Sequence, residues 1–320
     1  MTIKTNLNFA PPYCCGRTGA DFLLHFCAQL FMINWVMKMV DEIRRMGERL
    51  HLSSGQIQAA CNVYSVDPKW VSDQAKKAWK TGDVKEFRRS IHENKPFGGA
   101  LALAAALLMA CRAQEEYQRR GIPQAVFDDT MSDIRIWTDH FRRDTGYDGL
   151  GEINWIVKHC RLEIFRLGRL QFERTRVNSL PLAWMLRYRV RRGQRCLSVH
   201  IAEGEKLDID ACEASFNQAP VFFRQFFPDE HYGCFICLSW LLSSVYQQIL
   251  PEESNIVRFR GLWDVVKDIR GDKQAIERIW GARERDIKLY RRDTLLQRRA
   301  AEWLEQGKKL GMGFALRGIK

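Results

Sequence analysis

Through roughly the first 160 positions, apolar residues recur at helical spacing. Asp67-Pro68 supplies an N-cap acceptor followed by proline at the first helical position. Trp70, Val71, Ala75 and Trp79 follow, and Gly82 stops the run. This predicts a helix over 68–81, with Asp83 placed to cap the next one. Ile122-Pro123 opens another helix, in which Val126, Thr130, Ile134, Trp137 and Phe141 share one face. Gly98 to Cys111 is a run of 14 residues without a charge. A membrane span needs about 20, so the run predicts a buried helix that continues into a charged EEYQRR face. Gly146, Gly149 and Gly151 mark a loop, and nothing in this half reads as a strand.

Near residue 160 the period becomes two. Ile164 to Val177 reads as a strand closed by a turn over 178–181. Leu182, Trp184, Leu186, Tyr188 and Val190 alternate with Ala183, Met185, Arg187, Arg189 and Arg191. That pattern predicts a second strand with Arg187, Arg189 and Arg191 on one face. After a turn at 192–194, Leu197, Val199 and Ile201 alternate with Cys196, Ser198 and His200, a third strand. Short hairpins would join the three. Beyond Gly204 the period is helical, with Phe216, Ala219, Phe223 and Phe226 on one face and Pro220 placed to kink the run. A strand over Phe235–Leu242, a short helix before Pro251, a strand over Asn255–Arg260 and a charged helical region over Asp264–Gln306 follow. A Gly-rich strand over Gly311–Arg317 closes the chain. The expectation is an α+β protein in which Ile164 to Arg260 forms one mostly antiparallel sheet, with Ala211 to Phe227 packed on it.

The chain has 320 residues, 46% apolar and 28% charged, which is ordinary for a globular protein. The length suits two domains, expected at 1–158 (helical) and 159–320. The net charge is +12 and the pI near 9.3, so the surface favours anionic partners. Lys158 to Arg195 carries Lys158 and ten arginines against Glu163 and Glu173, a local charge of +9. This predicts a contact for an acidic partner. Nucleic acid ranks below other anions, because Trp184 and Tyr188 fall on the opposite parity from the arginines and form no base-stacking platform with them. The ten cysteines make no compact framework, and no N-x-S/T acceptor occurs. Cys234-x-x-Cys237, within CFICLSWLL, reads as a pair of core cysteines rather than a metal site. Met1 to Pro12 lacks the features of a signal peptide. A reduced, cytoplasmic protein with no membrane contact and no metal is expected. The phosphate-loop, dinucleotide, G-x-S-x-G and H-E-x-x-H signatures are absent, against kinase, ATPase, dehydrogenase, serine-hydrolase and zinc-protease readings.

Several phrases resemble a bacterial acyltransferase-domain family that joins a helical N-acyltransferase N-terminal domain to a GNAT-like C-terminal domain. These are GIPQAVFDDTMSDIRIW (Gly121–Trp137), FRLGRLQFE (Phe165–Glu173), VHIAEG (Val199–Gly204), LDIDACEASFNQA (Leu207–Ala219), SWLL (Ser239–Leu242) and SNIVRF (Ser254–Phe259). The resemblance runs from about residue 50 to the end. It implies a mixed, mostly antiparallel sheet with flanking helices. It also implies transfer of an acyl group from a thioester donor, acyl-CoA or acyl carrier protein, to an amine acceptor that the sequence does not identify. Direct attack is expected, since no activated cysteine–histidine pair is evident. The Arg-rich 158–195 segment is the expected contact for an acyl carrier protein or another acidic partner. The alternative is a non-catalytic GNAT-like protein that binds such a partner.

In the GNAT fold, backbone N–H groups of a loop and helix start hold the donor's pyrophosphate. The family loop reads Gln/Arg-x-x-Gly-x-Gly/Ala. Here IAEGEKLDID has one glycine, Gly204, and four acids, Glu203, Glu205, Asp208 and Asp210. Acids facing a pyrophosphate oppose its binding, whereas acids at a helix start are favourable. A cleft is expected where the strand Cys196–Ile201 diverges from Phe235–Leu242. Ile201 and Gly204 border it on one side, and Ser239 and Trp240 on the other. His200 and Glu203 are the candidate bases and Tyr246 the candidate acid. Glu173 reads as a partner for Arg187 or as a site carboxylate.

Overall fold

The structure is a computed structural model. It describes residues 19–319 apart from 179 and 282–285, with side chains from residue 30 onward. Seven helices come first: α1 (Gly19–Arg49), α2 (Ser54–Val66), α3 (Pro68–Thr81), α4 (Lys85–Glu93), α5 (Lys95–Arg120), α6 (Gln124–Thr145) and α7 (Ile153–Cys160). The start of α3 is capped by the Asp67 side chain, which accepts from Trp70 N–H at 3.0 Å, and Gly82 ends the helix at φ +75. Asp83 accepts from Lys85 N–H at 3.0 Å at the start of α4. The apolar run lies in α5, where Leu101 through Leu107 are all buried. Helix α5 is long and apolar enough to cross a membrane by composition, yet most of its apolar surface is covered by the other helices.

The sheet begins with β1 (Ile164–Leu167) and β2 (Leu170–Arg176). Then come α8 (Leu182–Tyr188), β3 (Arg195–Ile201), α9 (Ile209–Phe226), β4 (Cys234–Ser239), α10 (Val245–Ile249) and α11 (Asn255–Gly261). Strand β5 (Asp264–Ile269), α12 (Lys273–Trp280), α13 (Leu295–Glu305) and β6 (Met312–Gly318) complete the chain. The strand order is β1-β2-β3-β4-β6-β5. Every neighbouring pair is antiparallel except β3–β4, which is parallel and bridged by α9. Phe216 of α9 packs on Phe172 and Phe235, so α9 covers one face of the sheet. Phe165 touches both Tyr117 of α5 and Phe227, and one continuous core spans the helical half and the sheet.

The α+β class and the mixed, mostly antiparallel sheet with flanking helices agree with the expectation; several elements do not. Ile164–Val177 is a hairpin, β1 and β2, because Gly168 turns the chain at φ +68. Leu182–Val190 is not a strand. Its first seven residues form α8, with Pro181 at the N-cap and Arg189 ending it in the left-handed region. The segment Leu182–Tyr188 holds no β-branched residue and is rich in helix formers. The three strands are therefore not joined by short hairpins. Arg187, Arg189 and Arg191 share no strand face, and Arg187 pairs with Asp264 at 2.7 Å. Of the 158–195 arginines, Arg161, Arg166, Arg174 and Arg187 make separate ion pairs with Glu163, Glu205, Glu230 and Asp264. Asn255–Arg260 lies in α11. Asp264–Gln306 opens with a strand, β5, so the sheet runs past Arg260 to Gly318. Strand β4 stops at Ser239, and residues Trp240–Leu242 form a 3-10 turn. Helix α9 continues through Pro220.

The expected turn over 178–181 includes residue 179, which lies outside the described residues. So do Met1–Pro12, Cys14, Cys15 and the side chain of Cys27. The seven described cysteines are all free, including Cys234 and Cys237 on β4. Among the described residues, no cluster of His, Cys, Asp or Glu could hold a metal ion.

Gly98 brings α5 against the backbone of α4. A Cβ there would press on the backbone of Ser90 and Ile91, which has no flexible end to swing away. Gly→Ala in a helix ordinarily adds about 1 kcal/mol of stability; overpacking a tight contact costs about 1–3 kcal/mol. Gly98→Ala is therefore expected to lower stability. Urea denaturation measures this, and a higher midpoint would contradict it.

Candidate active site

Strands β3 and β4 pair at only two positions, Leu197↔Phe235 and Ser198↔Ile236. Past these, Val199–Ile201 and Cys237–Ser239 have no ladder between them. Parallel strands that separate leave backbone donors and acceptors facing a gap. Leu238, on the same face as Ile236 and His200, is 49% exposed beside this gap. The gap lies where the sequence placed the cleft. Two surface cavities lie elsewhere, one of about 650 Å³ between α10 and α13 and one of about 550 Å³ against α3 and α5.

His200 pairs across the β2–β3 ladder with Gln171. Its Nε2 lies 2.9 Å from Glu173 Oε2, and Glu173 Oε1 accepts from Lys158 Nζ at 2.7 Å. With a carboxylate at Nε2, a neutral imidazole carries its proton there and presents Nδ1 as the free lone pair. Nδ1 has no partner among the described residues. The edge of Trp155 meets the His200 ring at 4.8 Å. Trp155 is fixed in turn, because its Nε1 donates to Asp133 Oδ2 at 2.7 Å while Gln171 donates to Asp133 Oδ1 at 2.7 Å. Asp133 and His159 beneath it are buried, and burial pulls the His159 pKa down. Helices α6 and α7 of the first half thus hold the histidine on the sheet. Glu173 serves His200 and Lys158, not Arg187 as the sequence suggested.

Glu203 follows the end of β3 and is committed elsewhere. Its carboxylate meets His140 Nε2 at 2.8 Å and Arg278 Nη1 at 3.0 Å. The hydrogen bond from His140 lowers its pKa. Two of the other loop acids are also engaged. Glu205 pairs with the buried Arg166, and Asp208 caps α9 by accepting from Ala211 N–H at 2.9 Å. Gly204 lies in the loop at φ +97, and Ile201 ends β3 half-buried. Ser239 Oγ accepts from Leu241 N–H at 3.2 Å, and Trp240 N–H donates to Gln274 Oε1 at 2.9 Å. The Tyr246 ring lies against Trp240 at 5.4 Å; it is fully buried and its hydroxyl has no partner among the described residues. Burial pushes its pKa well up, so it stays protonated.

The structure thus brings His200 together with Glu173 and Trp155, and Trp240 together with Tyr246. It does not join Glu203 to His200. Trp155 and Asp133 were not singled out in the sequence, since only the fold brings helices α6 and α7 over β2 and β3.

Residues 41–162 match the N-acyltransferase N-terminal domain, and residues 164–316 the GNAT-like C-terminal domain. The chain thus carries these two domains in the order the resemblance implied. No curated protein matches it. Among solved structures it is similar to an acyltransferase in complex with decanoyl-CoA and teicoplanin, at 20% identity over 88% of each chain, with a TM-score of 0.71. An acyltransferase in complex with decanoyl-CoA is 21% identical over 88% of each chain, with a TM-score of 0.71. One in complex with CoA and 10C-teicoplanin is 20% identical over 87% of each chain, with a TM-score of 0.70. At these identities the likeness shows the fold.

Burial alone would raise the Glu173 carboxyl, but the hydrogen bonds from His200 and Lys158 outweigh it and hold the pKa at about 2. A carboxyl depressed by folding adds stability that is complete above its unfolded pKa and lost as pH falls through the folded one. Glu173→Gln removes that contribution. Stability should then fall less steeply between pH 4.5, the ordinary value, and about 2 than in wild type. Urea titrations across this range measure the slope; equal slopes would contradict the pairing.

Proposed function

We propose that the protein transfers an acyl group from acyl-CoA to an amine by direct attack, in the gap between β3 and β4. The observation that carries this reading is the two-rung β3–β4 ladder, which opens between a strand bearing His200 and a strand ending at Ser239, just before Trp240. The acyl-CoA complexes of similarly folded acyltransferases support the donor. The match to the N-acyltransferase domain supports an amine as acceptor.

In this reading the thioester arm lies in the gap, with Ile201 and Gly204 on one side and Ser239 and Trp240 on the other. Leu238 offers an apolar contact to the acyl chain. His200 takes the amine proton at Nδ1 while Glu173 holds the imidazole in place through Nε2. The nitrogen attacks the thioester carbonyl, the C–N bond forms and the C–S bond breaks. The leaving thiolate takes its proton from solvent, because the Tyr246 hydroxyl is fully buried and no contact places it at the gap. Glu203, held by His140 and Arg278, shapes the loop rather than acting as the base. The alternative of a non-catalytic protein drew on the missing loop glycines and on a strand-borne arginine face, and the second of these is a helix instead.

His200→Ala is expected to lower acyl transfer about 10²- to 10⁴-fold while leaving acyl-CoA binding intact. Release of free thiol with a panel of primary amines reports transfer, and calorimetry reports binding. Transfer near the wild-type rate would remove His200 from the chemistry.

A further inference from the structure

The loop after β3 is shaped from below by one arginine. Arg169 sits at the tip of the β1–β2 hairpin and is only 6% exposed. Its guanidinium donates to three backbone carbonyls of the loop: Nη1 to Ala202 O, Nη2 to Glu205 O and Nε to Lys206 O, each at 2.9 Å. No carboxylate neutralises it directly, since Glu205 turns its side chain to Arg166. The hairpin tip is itself fixed. Arg169 N–H donates to Ser215 Oγ at 2.9 Å, and Ser215 Oγ donates to Ala211 O at 2.8 Å on α9. Gly168 allows this approach, because a Cβ there would lie 2.9 Å from Ser215 Oγ.

In a trans peptide the C=O and the following N–H point in opposite directions. No cis bond is present among the described residues. Carbonyls 202, 205 and 206 turned in toward Arg169 therefore turn the N–H groups of Glu203, Lys206 and Leu207 outward. None of these three donates to another described protein group. The result is a patch of outward amides beside the gap, backed by a buried positive charge.

We propose that Arg169 is a positioning residue that sets these amides to receive the diphosphate of acyl-CoA. This rests on the acyl-CoA reading above. It takes the place of the loop glycines that the sequence lacks: the backbone is aimed by a three-point guanidinium clamp rather than by conformational freedom.

The test uses the full chain. Calorimetry measures CoA binding. Kinetics compare an acyl-CoA with the same acyl group on N-acetylcysteamine, a thioester without a diphosphate. Arg169→Met keeps the buried bulk. It is expected to weaken CoA binding and raise KM for acyl-CoA about 10- to 100-fold, with kcat and all constants for the short thioester within about twofold. Arg169→Lys keeps the charge but cannot hold three carbonyls, and should show most of the same loss. Unchanged CoA affinity in the variants overturns the proposal. So does an equal fall with both thioesters, which marks a merely structural residue. Should Arg169→Met fail to fold, Arg169→Lys and Ser215→Ala make the same comparison. A wild type that binds no CoA overturns the acyl-CoA reading and this proposal with it, a result distinct from wild type and variants that bind alike.

Discussion

The early end of the β3–β4 ladder is the constraint on which the site depends. Two parallel strands joined through α9 would ordinarily pair along their length. Here pairing stops at Ser198 and Ile236, and the strands continue apart. The elements on either side keep them so. Strand β3 is bound over its whole length to β2, from Leu170↔Ile201 to Arg176↔Arg195. Strand β4 is bound over its whole length to β6, from Cys234↔Gly318 to Ser239↔Gly313. Closing the gap would require the β2–β3 and β4–β6 pairs to bend toward each other as units. The opening is thus a property of the sheet and not of a mobile loop.

The helical half completes the site rather than merely abutting it. Asp133 of α6 fixes both Trp155 of α7 and Gln171 of β2. Trp155 and Glu173 then meet His200 from two sides. Both oxygens of the buried Asp133 are occupied, as a low-dielectric interior favours. On the far side of the sheet, Phe216 of α9 fills the space between Phe172 and Phe235 with rings alone. Around Phe216 that face packs ring on ring, while the opposite face carries the His200–Glu173–Lys158 group.

Much of this was legible in the sequence where one local rule decided the outcome. Asp67-Pro68 and Gly82 bounded α3, and the charge-free run in α5 read correctly as core. The early parting of β3 and β4 followed from the resemblance. The errors arose where two periods fit one pattern. Leu182, Trp184, Leu186 and Tyr188 satisfy alternation, yet residues four apart also share a helix face, and α8 exposes Leu182 and Leu186. In α11, Ile256 and Val257 have strand propensity, but burial of Phe259 against Trp263 settles a helix. Strand β5 is an edge strand, half exposed and charged at Asp264, Lys267 and Asp268, so it lacked a buried alternating signal. His200 was visible because it lies on a regular strand. Glu173, its partner, became identifiable only with the cross-strand register. Arg169 left no sequence signal beyond its place after Gly168.

The central claim is that the donor lies along the gap and against the loop that Arg169 holds. Amide hydrogen exchange, measured with and without a saturating acyl-CoA, tests it most directly. The account predicts that protection on binding concentrates in Glu203–Leu207 and Cys237–Trp240. Protection confined to the groove of Arg112, Arg119 and Arg161, or absent from both strand edges, would contradict it.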